Sequence, residues 1–131
     1  MPFALLPASI YIAMHEFSIC EGLLDTVLAE MRKVNPPARR LLKTRIVVGA
    51  MRQVVPEYLA FAYESLTKGT PAEGSALDIV PAPVAAKCRN CGWQGESANP
   101  SFQCVKCQSY DLDIEGGTEL YLESLEVEQD D

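Results

Sequence analysis

The first third of the chain carries apolar side chains at the three- and four-residue spacing of one helix face. They are Ile19, Leu23, Val27, Met31 and Val34, flanked by Leu24 and Leu28. Ser18 and Glu21 have the spacing of a capping box, so the helix is predicted to begin at Ser18. Pro36 and Pro37 end it. Cys20 falls in the first turn, where we expect a small buried hydrophobic residue rather than a metal ligand.

A strand-like pattern follows, and then a second helix. Residues 41–50 are rich in β-branched side chains, which favours a strand. Pro56 suits the first position of a helix whose apolar face holds Leu59, Ala62, Tyr63 and Leu66, and Gly69 is placed to cap its end. Residues 76–80, between Gly74 and Pro81, and residues 118–127 are predicted as strands, the last returning to the first sheet.

Four of the five cysteines form two CxxC pairs separated by twelve residues. They are Cys88, Cys91, Cys104 and Cys107. Two such turns facing each other make a tetrahedral thiolate cage that suits Zn(II), which has no ligand-field preference to oppose it. Residues 1–13 are apolar but lack the basic region of a signal peptide, so we expect the protein to remain in a reducing compartment. There, paired cysteines bind metal more often than they form disulfides. We therefore predict one structural zinc ion, with rubredoxin-like iron or a redox dithiol pair as alternatives.

The cysteine segment, residues 84–114, is too short to fold by its apolar surface alone, so metal binding is expected to stabilise it. Gly92 follows the first pair, where a positive φ is often needed. Gln108 stands at the matching place after the second pair and is expected to cost on the order of 1 kcal/mol there. The cations after residue 83 all lie within two positions of a cysteine, which fits compensation of the cage's negative charge. They are Lys87, Arg89 and Lys106.

Charge is distributed unevenly along the chain. Residues 84–131 hold ten acidic and three basic side chains and account for the whole net charge of −7. Seven basic residues lie between Arg32 and Arg52 with no acidic residue among them, which fits either a solvated rim or a surface for an acidic partner. With a pI of about 4.7, nucleic acid is not the expected partner. No apolar stretch reaches transmembrane length, so no membrane partner is expected.

His15 is the only histidine, and Glu16 follows it. One imidazole and one carboxylate do not complete a metal site. Such a site must recruit backbone nitrogen, a terminal amine or a second copy of the chain, and a square-planar nitrogen field of this kind favours Ni(II) or Cu(II). No nucleophile–base pair or phosphate loop is present, which argues against an enzyme.

Residues 14–23, MHEFSICEGL, resemble the N-terminus of the HypA/HybF family of nickel-insertion proteins. Residues 55–63 resemble that family's second helix, and the segment after it, the paired CxxC insert and the C-terminal strand follow in the family's order. The resemblance implies a cytoplasmic metallochaperone that delivers Ni(II) to the [NiFe]-hydrogenase large subunit with a HypB-type GTPase; urease is another conceivable recipient. It implies His15 as side-chain nickel ligand, joined by the backbone nitrogens of His15 and Glu16. The Glu16 carboxylate is a further candidate, and the four paired cysteines are the zinc ligands.

These inferences predict an α+β fold in which two helices and a small β-sheet form a nickel-binding domain with an inserted zinc-ribbon-like lobe. The domain comprises residues 14–83 with 115–128, the lobe comprises residues 84–114, and residues 1–13 are a disordered or non-native extension. In the family the methionine of the MHE segment starts the chain, so we hypothesise that the functional protein begins at Met14. A homodimer is one further expectation left open. The alternative function is a zinc-ribbon module that binds nucleic acid or acts as a protein adaptor.

Overall fold

The computed structural model describes residues 8–97 and 102–129, with side chains from His15 onward. This part of the chain holds two α-helices, one short 3-10 helix and six strands, which confirms the predicted α+β class. It divides into two compact units. One comprises residues 8–45, 54–78 and 122–129, and the other comprises residues 46–53 and 79–121 with the gap already noted.

Helix α1 spans Ala8–Lys33 and therefore begins ten residues before the predicted start. The prediction that Ser18 caps this helix is wrong. Residues 8–17 contain neither proline nor glycine, so nothing in the backbone interrupts the helix before Ser18. Of the extension predicted to be disordered or non-native, residues 8–13 are helical, and residues 1–7 lie outside the described part. The predicted end before Pro36 is confirmed.

The buried stripe of α1 differs from the predicted one by a rotation about the helix axis. Cys20, Leu24, Val27 and Met31 are at most 6% exposed, while Val34 lies beyond the helix and is 37% exposed. The prediction for Cys20 is confirmed, because its side chain is fully buried and its Sγ donates to the Leu59 carbonyl at 3.5 Å. Burial, and then the Glu16 carboxylate, raise the pKa of Cys20 to about 12, so the thiol stays protonated.

Helix α2 spans Pro56–Thr67, with the proline at its start as predicted. It packs against α1 and buries Leu59, Ala62 and Tyr63. Gly69 follows the helix with φ +77° and is the third residue of a β-turn in which the Thr70 N–H donates to the Thr67 carbonyl at 3.0 Å, a position that favours glycine.

The strands form two three-stranded sheets. They are β1 (Ala38–Gly49), β2 (Ala76–Ala82), β3 (Val84–Cys88), β4 (Gln94–Ser97), β5 (Leu112–Gly116) and β6 (Leu120–Gln129). The first sheet has the order β2-β1-β6, which confirms that the C-terminal strand returns to the first sheet. Strand β2 continues through Pro81 instead of ending there, which an edge strand tolerates because its outward N–H groups are not needed for pairing.

The second sheet has the order β4-β3-β5 and was not predicted from the sequence. Its pairings are antiparallel, with Val84 opposite Ser97 and Cys88 opposite Leu112. Gly95 lies so close to the Trp93 ring that a Cβ atom there would overlap it. This sheet ends beside both CxxC pairs and carries Cys88 on its central strand.

The basic residues between Arg32 and Arg52 are mostly engaged by acidic or polar groups of the fold. Lys33 pairs with Glu30, Arg39 with Glu128, and Lys43 and Arg45 with Asp78, while Arg52 donates to the Thr118 carbonyl. This pattern matches a solvated rim better than a polyanion-binding surface. Within the described residues, no helix is long and apolar enough to cross a membrane.

Candidate metal centre

The four paired cysteines converge as their spacing predicts. All four Sγ atoms lie within 4.8 Å of one another. Cys88 and Cys107 are 3.6 Å apart at sulfur, and Cys91 and Cys104 are 3.5 Å apart. A tetrahedron with Zn–S bonds of about 2.3 Å has sulfur–sulfur edges of about 3.8 Å, so the cage fits Zn(II).

Each CxxC pair is held by the same turn. The N–H of Gly92 donates to the Cys88 carbonyl and the N–H of Gln108 to the Cys104 carbonyl, both at 2.9 Å. In each pair the second cysteine's N–H points at the first cysteine's sulfur, at 3.4 Å. The predicted positive φ is confirmed at both following residues, +82° at Gly92 and +66° at Gln108.

Hydrogen bonds to sulfur favour the thiolate form that metal binding requires. The Asn90 side chain donates to Cys107 Sγ at 3.5 Å. This bond, together with one from the Ser109 backbone, lowers the pKa of Cys107 to about 6. The backbone N–H groups of Lys106 and Cys107 both point at Cys104 Sγ, each at 3.4 Å. These hydrogen bonds favour negative sulfur at Cys104 and Cys107. Cys91 behaves in the opposite way: a backbone bond from Trp93 favours its thiolate, but burial and the three neighbouring cysteines raise the pKa of Cys91 to about 12.

Arg89, which was predicted to compensate the negative charge of the cage, forms ion pairs with two aspartates. Its guanidinium pairs with Asp111 at 3.0 Å and also with Asp113, instead of serving only the cage charge. Both carboxylates are at the β5 end of the segment, and the Arg89 N–H donates to the Asp111 carbonyl at 2.9 Å. Because these ion pairs are solvent-exposed, they contribute little to the free energy of folding. Their main effect is to hold the first CxxC turn in register with β5.

The two candidate nickel residues lie in α1 but on different sides of it. His15 is exposed, while Glu16 is fully buried. The Glu16 Oε1 accepts a hydrogen bond from the Val55 N–H at 3.4 Å, and its Oε2 has no partner among the described residues. The structure therefore brings the carboxylate to the start of α2 and leaves the imidazole at the surface. Sequence reasoning missed this contact, although Glu16 stands four residues before Cys20 on the same buried stripe.

Among the described side chains, the four cysteines are the one cluster of three or more histidine, cysteine or acidic residues able to hold a metal ion. His15 belongs to no cluster of this size among the residues that the structure describes.

Comparison with known proteins gives a family for the chain. The sequence profile described as "Hydrogenase/urease nickel incorporation, metallochaperone, hypA" matches residues 14–127. A hydrogenase maturation factor HypA of Bradyrhizobium sp. is 37% identical over 116 residues, which cover 88% of this chain and 100% of that protein. The HypA of Dehalococcoides mccartyi strain 195 is 32% identical over 117 residues, covering 89% of this chain and 97% of its own length.

Solved structures share the fold. The solution structure of the Ni metallochaperone HypA from Helicobacter pylori aligns with a TM-score of 0.55 at 24% identity, covering 88% of this chain and 98% of that one. A second solution structure, of a HypA protein, aligns with a TM-score of 0.56 at 27% identity, covering 87% of this chain and 96% of that one. The resemblance inferred from the MHE segment and the paired cysteines is thereby confirmed, and the chain belongs to the HypA family of nickel metallochaperones that act in hydrogenase maturation.

Proposed function

We propose that this protein binds Ni(II) at His15 and delivers it to the large subunit of a [NiFe]-hydrogenase together with a HypB-type GTPase. The observation that carries the proposal is the family match from Met14 to residue 127, which begins on the MHE segment and extends past the cysteine cage. The exposed His15 imidazole is accessible to an ion arriving from solvent or from a partner. A carrier must release its cargo, and an exposed site with one side-chain ligand permits that.

We further propose that Cys88, Cys91, Cys104 and Cys107 hold a structural Zn(II). A cage of four sulfurs leaves no open coordination position for a substrate, so the ion would fix the fold of residues 84–114. Thiolates of this kind persist in a reducing compartment, which supports a cytoplasmic location. Residues 14–83 with 115–128 would then form the nickel-binding part.

The nickel ligands proposed besides the imidazole are the backbone nitrogens of His15 and Glu16. In the structure both residues lie inside α1, where each N–H donates to the carbonyl four residues earlier. A backbone nitrogen binds Ni(II) only after its proton passes to solvent and its lone pair turns to the metal. Nickel capture therefore requires that α1 unwinds locally around His15.

The experiment that tests nickel binding is a Ni(II) titration of the zinc-loaded protein, run beside His15→Ala. The matched control is Ser18→Ala, which changes an exposed residue one turn away on the same helix. We expect about one nickel per chain in the unmodified protein and in Ser18→Ala, and loss of that nickel in His15→Ala with the zinc content unchanged. If His15→Ala binds nickel like the control, His15 is not the ligand and the proposal fails.

Delivery is tested separately by incubating the nickel-loaded protein with the metal-free hydrogenase large subunit and a HypB-type GTPase. Delivery is supported if nickel is recovered with the large subunit when the unmodified protein is the carrier, and is not recovered with it when His15→Ala protein is used instead. Nickel that stays on the carrier under these conditions contradicts it.

A further inference from the structure

Glu16 meets the first residues of α2. Its side chain is 0% exposed, and its Oε1 accepts from the Val55 N–H at 3.4 Å. Val55 is the residue immediately before α2, and its own side chain cannot cap the helix. Pro56, the first helical residue, has no N–H to offer. The Glu16 carboxylate thus accepts from the N–H of the N-cap residue, which is the bond that a Glu or Gln at the third helical position makes in a capping box.

The charge of Glu16 suits this place. The N-terminus of a helix carries partial positive charge and favours a nearby carboxylate. Yet only one of the two buried oxygens is hydrogen-bonded within the described residues, and a distance of 3.4 Å is long for an N–H···O bond. A buried carboxylate held this incompletely is expensive, so the contact is one that a competing event on α1 can open.

We infer that Glu16 is a positioning residue that couples nickel capture at His15 to the start of α2, and that its carboxylate is not a nickel ligand. This inference rests on the proposed function. Glu16 adjoins His15, so unwinding α1 to free their backbone nitrogens withdraws the neighbouring carboxylate from Val55. The N-terminus of α2 then loses its cap when nickel is bound, and this helix end distinguishes the loaded from the empty carrier for a partner.

The test is amide hydrogen exchange at Val55, measured on the zinc-loaded full chain with and without Ni(II). The variants are Glu16→Ala, which removes the acceptor, and Glu16→Gln, which keeps an acceptor oxygen of the same reach. Glu57→Gln is the matched control, because this exposed acidic residue lies in the first turn of α2 and makes no contact with Val55 that the structure shows. Circular dichroism of each variant checks that the helices are retained.

Without nickel, we expect Glu16→Ala to speed Val55 exchange by about tenfold, Glu16→Gln by less, and Glu57→Gln not at all. Nickel should speed Val55 exchange by about tenfold in the unmodified protein and add nothing further in Glu16→Ala. Glu16→Gln should keep its nickel affinity, because the imidazole and backbone nitrogens remain.

Three results overturn the inference, and each is distinct from failure of the proposed function. Unchanged Val55 exchange in nickel-free Glu16→Ala shows that the carboxylate does not cap α2, whatever nickel does. Loss of nickel in Glu16→Gln with Val55 protection intact shows that the carboxylate is a ligand. Loss of nickel only in His15→Ala, with no nickel effect on Val55, leaves the carrier function standing and removes the coupling.

Discussion

Gly92 and Gln108 each follow a CxxC pair directly and share a left-handed backbone conformation, although only one of them is glycine. Gly92 has φ +82° and open space around the position of a Cβ, while Gln108 adopts φ +66° and is exposed. Glycine enters this region freely, whereas other residues pay roughly 1–2 kcal/mol. One turn therefore carries a strain that the other does not.

We predict that Gln108→Gly stabilises the zinc-loaded protein by about 1 kcal/mol, because it removes this strain and no side-chain hydrogen bond shown for Gln108 is lost. Gly92→Ala should destabilise it by a similar amount. Resistance of the bound zinc to a competing chelator measures both effects. A destabilising Gln108→Gly, or a neutral Gly92→Ala, would show that backbone strain does not limit these turns.

The five cysteines are predicted to separate into two classes when they are replaced one at a time. Cys104→Ser should lose the zinc ion, since a hydroxyl is a poor substitute for one of four thiolates. Cys20→Ala should keep one zinc per chain, because Cys20 is a protonated core residue that bonds to Leu59. Metal analysis of the purified variants decides this. Zinc lost from Cys20→Ala with its helices intact would contradict the assignment.

At the residue scale, the sequence predicted what depends on local spacing. The cysteine cage, the positive φ at Gly92 and Gln108 and the buried Cys20 all follow from motif and position. Glu16 was not predicted as buried because acidic side chains are almost always exposed unless paired. Its partner is the Val55 N–H, 39 residues away along the chain, and no local pattern encodes that contact.

At the scale of elements, helix α2 is tied to β1 by a chain of hydroxyl groups. The Tyr63 Oη lies 2.9 Å from Thr44 Oγ1 and 2.5 Å from Ser75 Oγ, and Ser75 in turn donates to the Ala72 carbonyl. Thr44 is fully buried and Tyr63 is nearly so. A single phenol oxygen thus serves the strand, the helix and the turn that follows the helix.

We predict that Tyr63→Phe lowers the free energy of unfolding by about 1–2 kcal/mol, because it leaves the buried Thr44 hydroxyl without its partner. Tyr58→Phe is the matched control on the same helix, since the Tyr58 hydroxyl makes no hydrogen bond within the described part of the chain. Urea unfolding followed by circular dichroism measures both. Equal effects of the two substitutions would mean that the hydroxyl chain contributes nothing.

Element boundaries were predicted well where a strong breaker exists. Pro36, Pro56 and Gly69 each mark a helix end that the structure confirms. The predicted start of α1 was wrong because a capping-box spacing inside a continuous helix resembles the spacing at a helix start. Strands β3, β4 and β5 were missed because they are short and mostly polar or small. Their alignment depends on antiparallel pairing and on the cysteine turns, not on a hydrophobic period.

At the scale of the whole molecule, zinc and nickel should affect different parts of the chain. Among the described residues of the segment 84–114, three hydrophobic side chains are buried, those of Val84, Cys88 and Cys104. We predict that chelating the zinc increases amide exchange in β3, β4 and β5 by about tenfold or more, while the centre of α1 keeps its protection. Exchange mapped by mass spectrometry with and without chelator measures this. Uniform loss of protection across both helices after zinc is removed would contradict this prediction, because it would show that the helices also depend on the bound zinc.

The residues before Met14 bear on nickel binding through the chemistry of a single nitrogen. In the full chain the Met14 nitrogen is an amide within α1, whereas in protein beginning at Met14 it is an amine with a pKa of about 8. Near neutral pH an amine loses its proton to nickel far more easily than an amide does, and no helical hydrogen bond holds it.

We therefore predict that protein beginning at Met14 binds Ni(II) at least about tenfold more tightly than the full chain at pH 7.5, with affinity rising as pH increases toward that pKa. Parallel calorimetric titrations of the two proteins at several pH values measure the difference, with His15→Ala in each as the reference for non-specific binding. Equal affinity and equal pH dependence would mean that the Met14 nitrogen is not a ligand. The backbone ligands would then be limited to His15 and Glu16, and the full chain would be as competent a carrier as the shorter one.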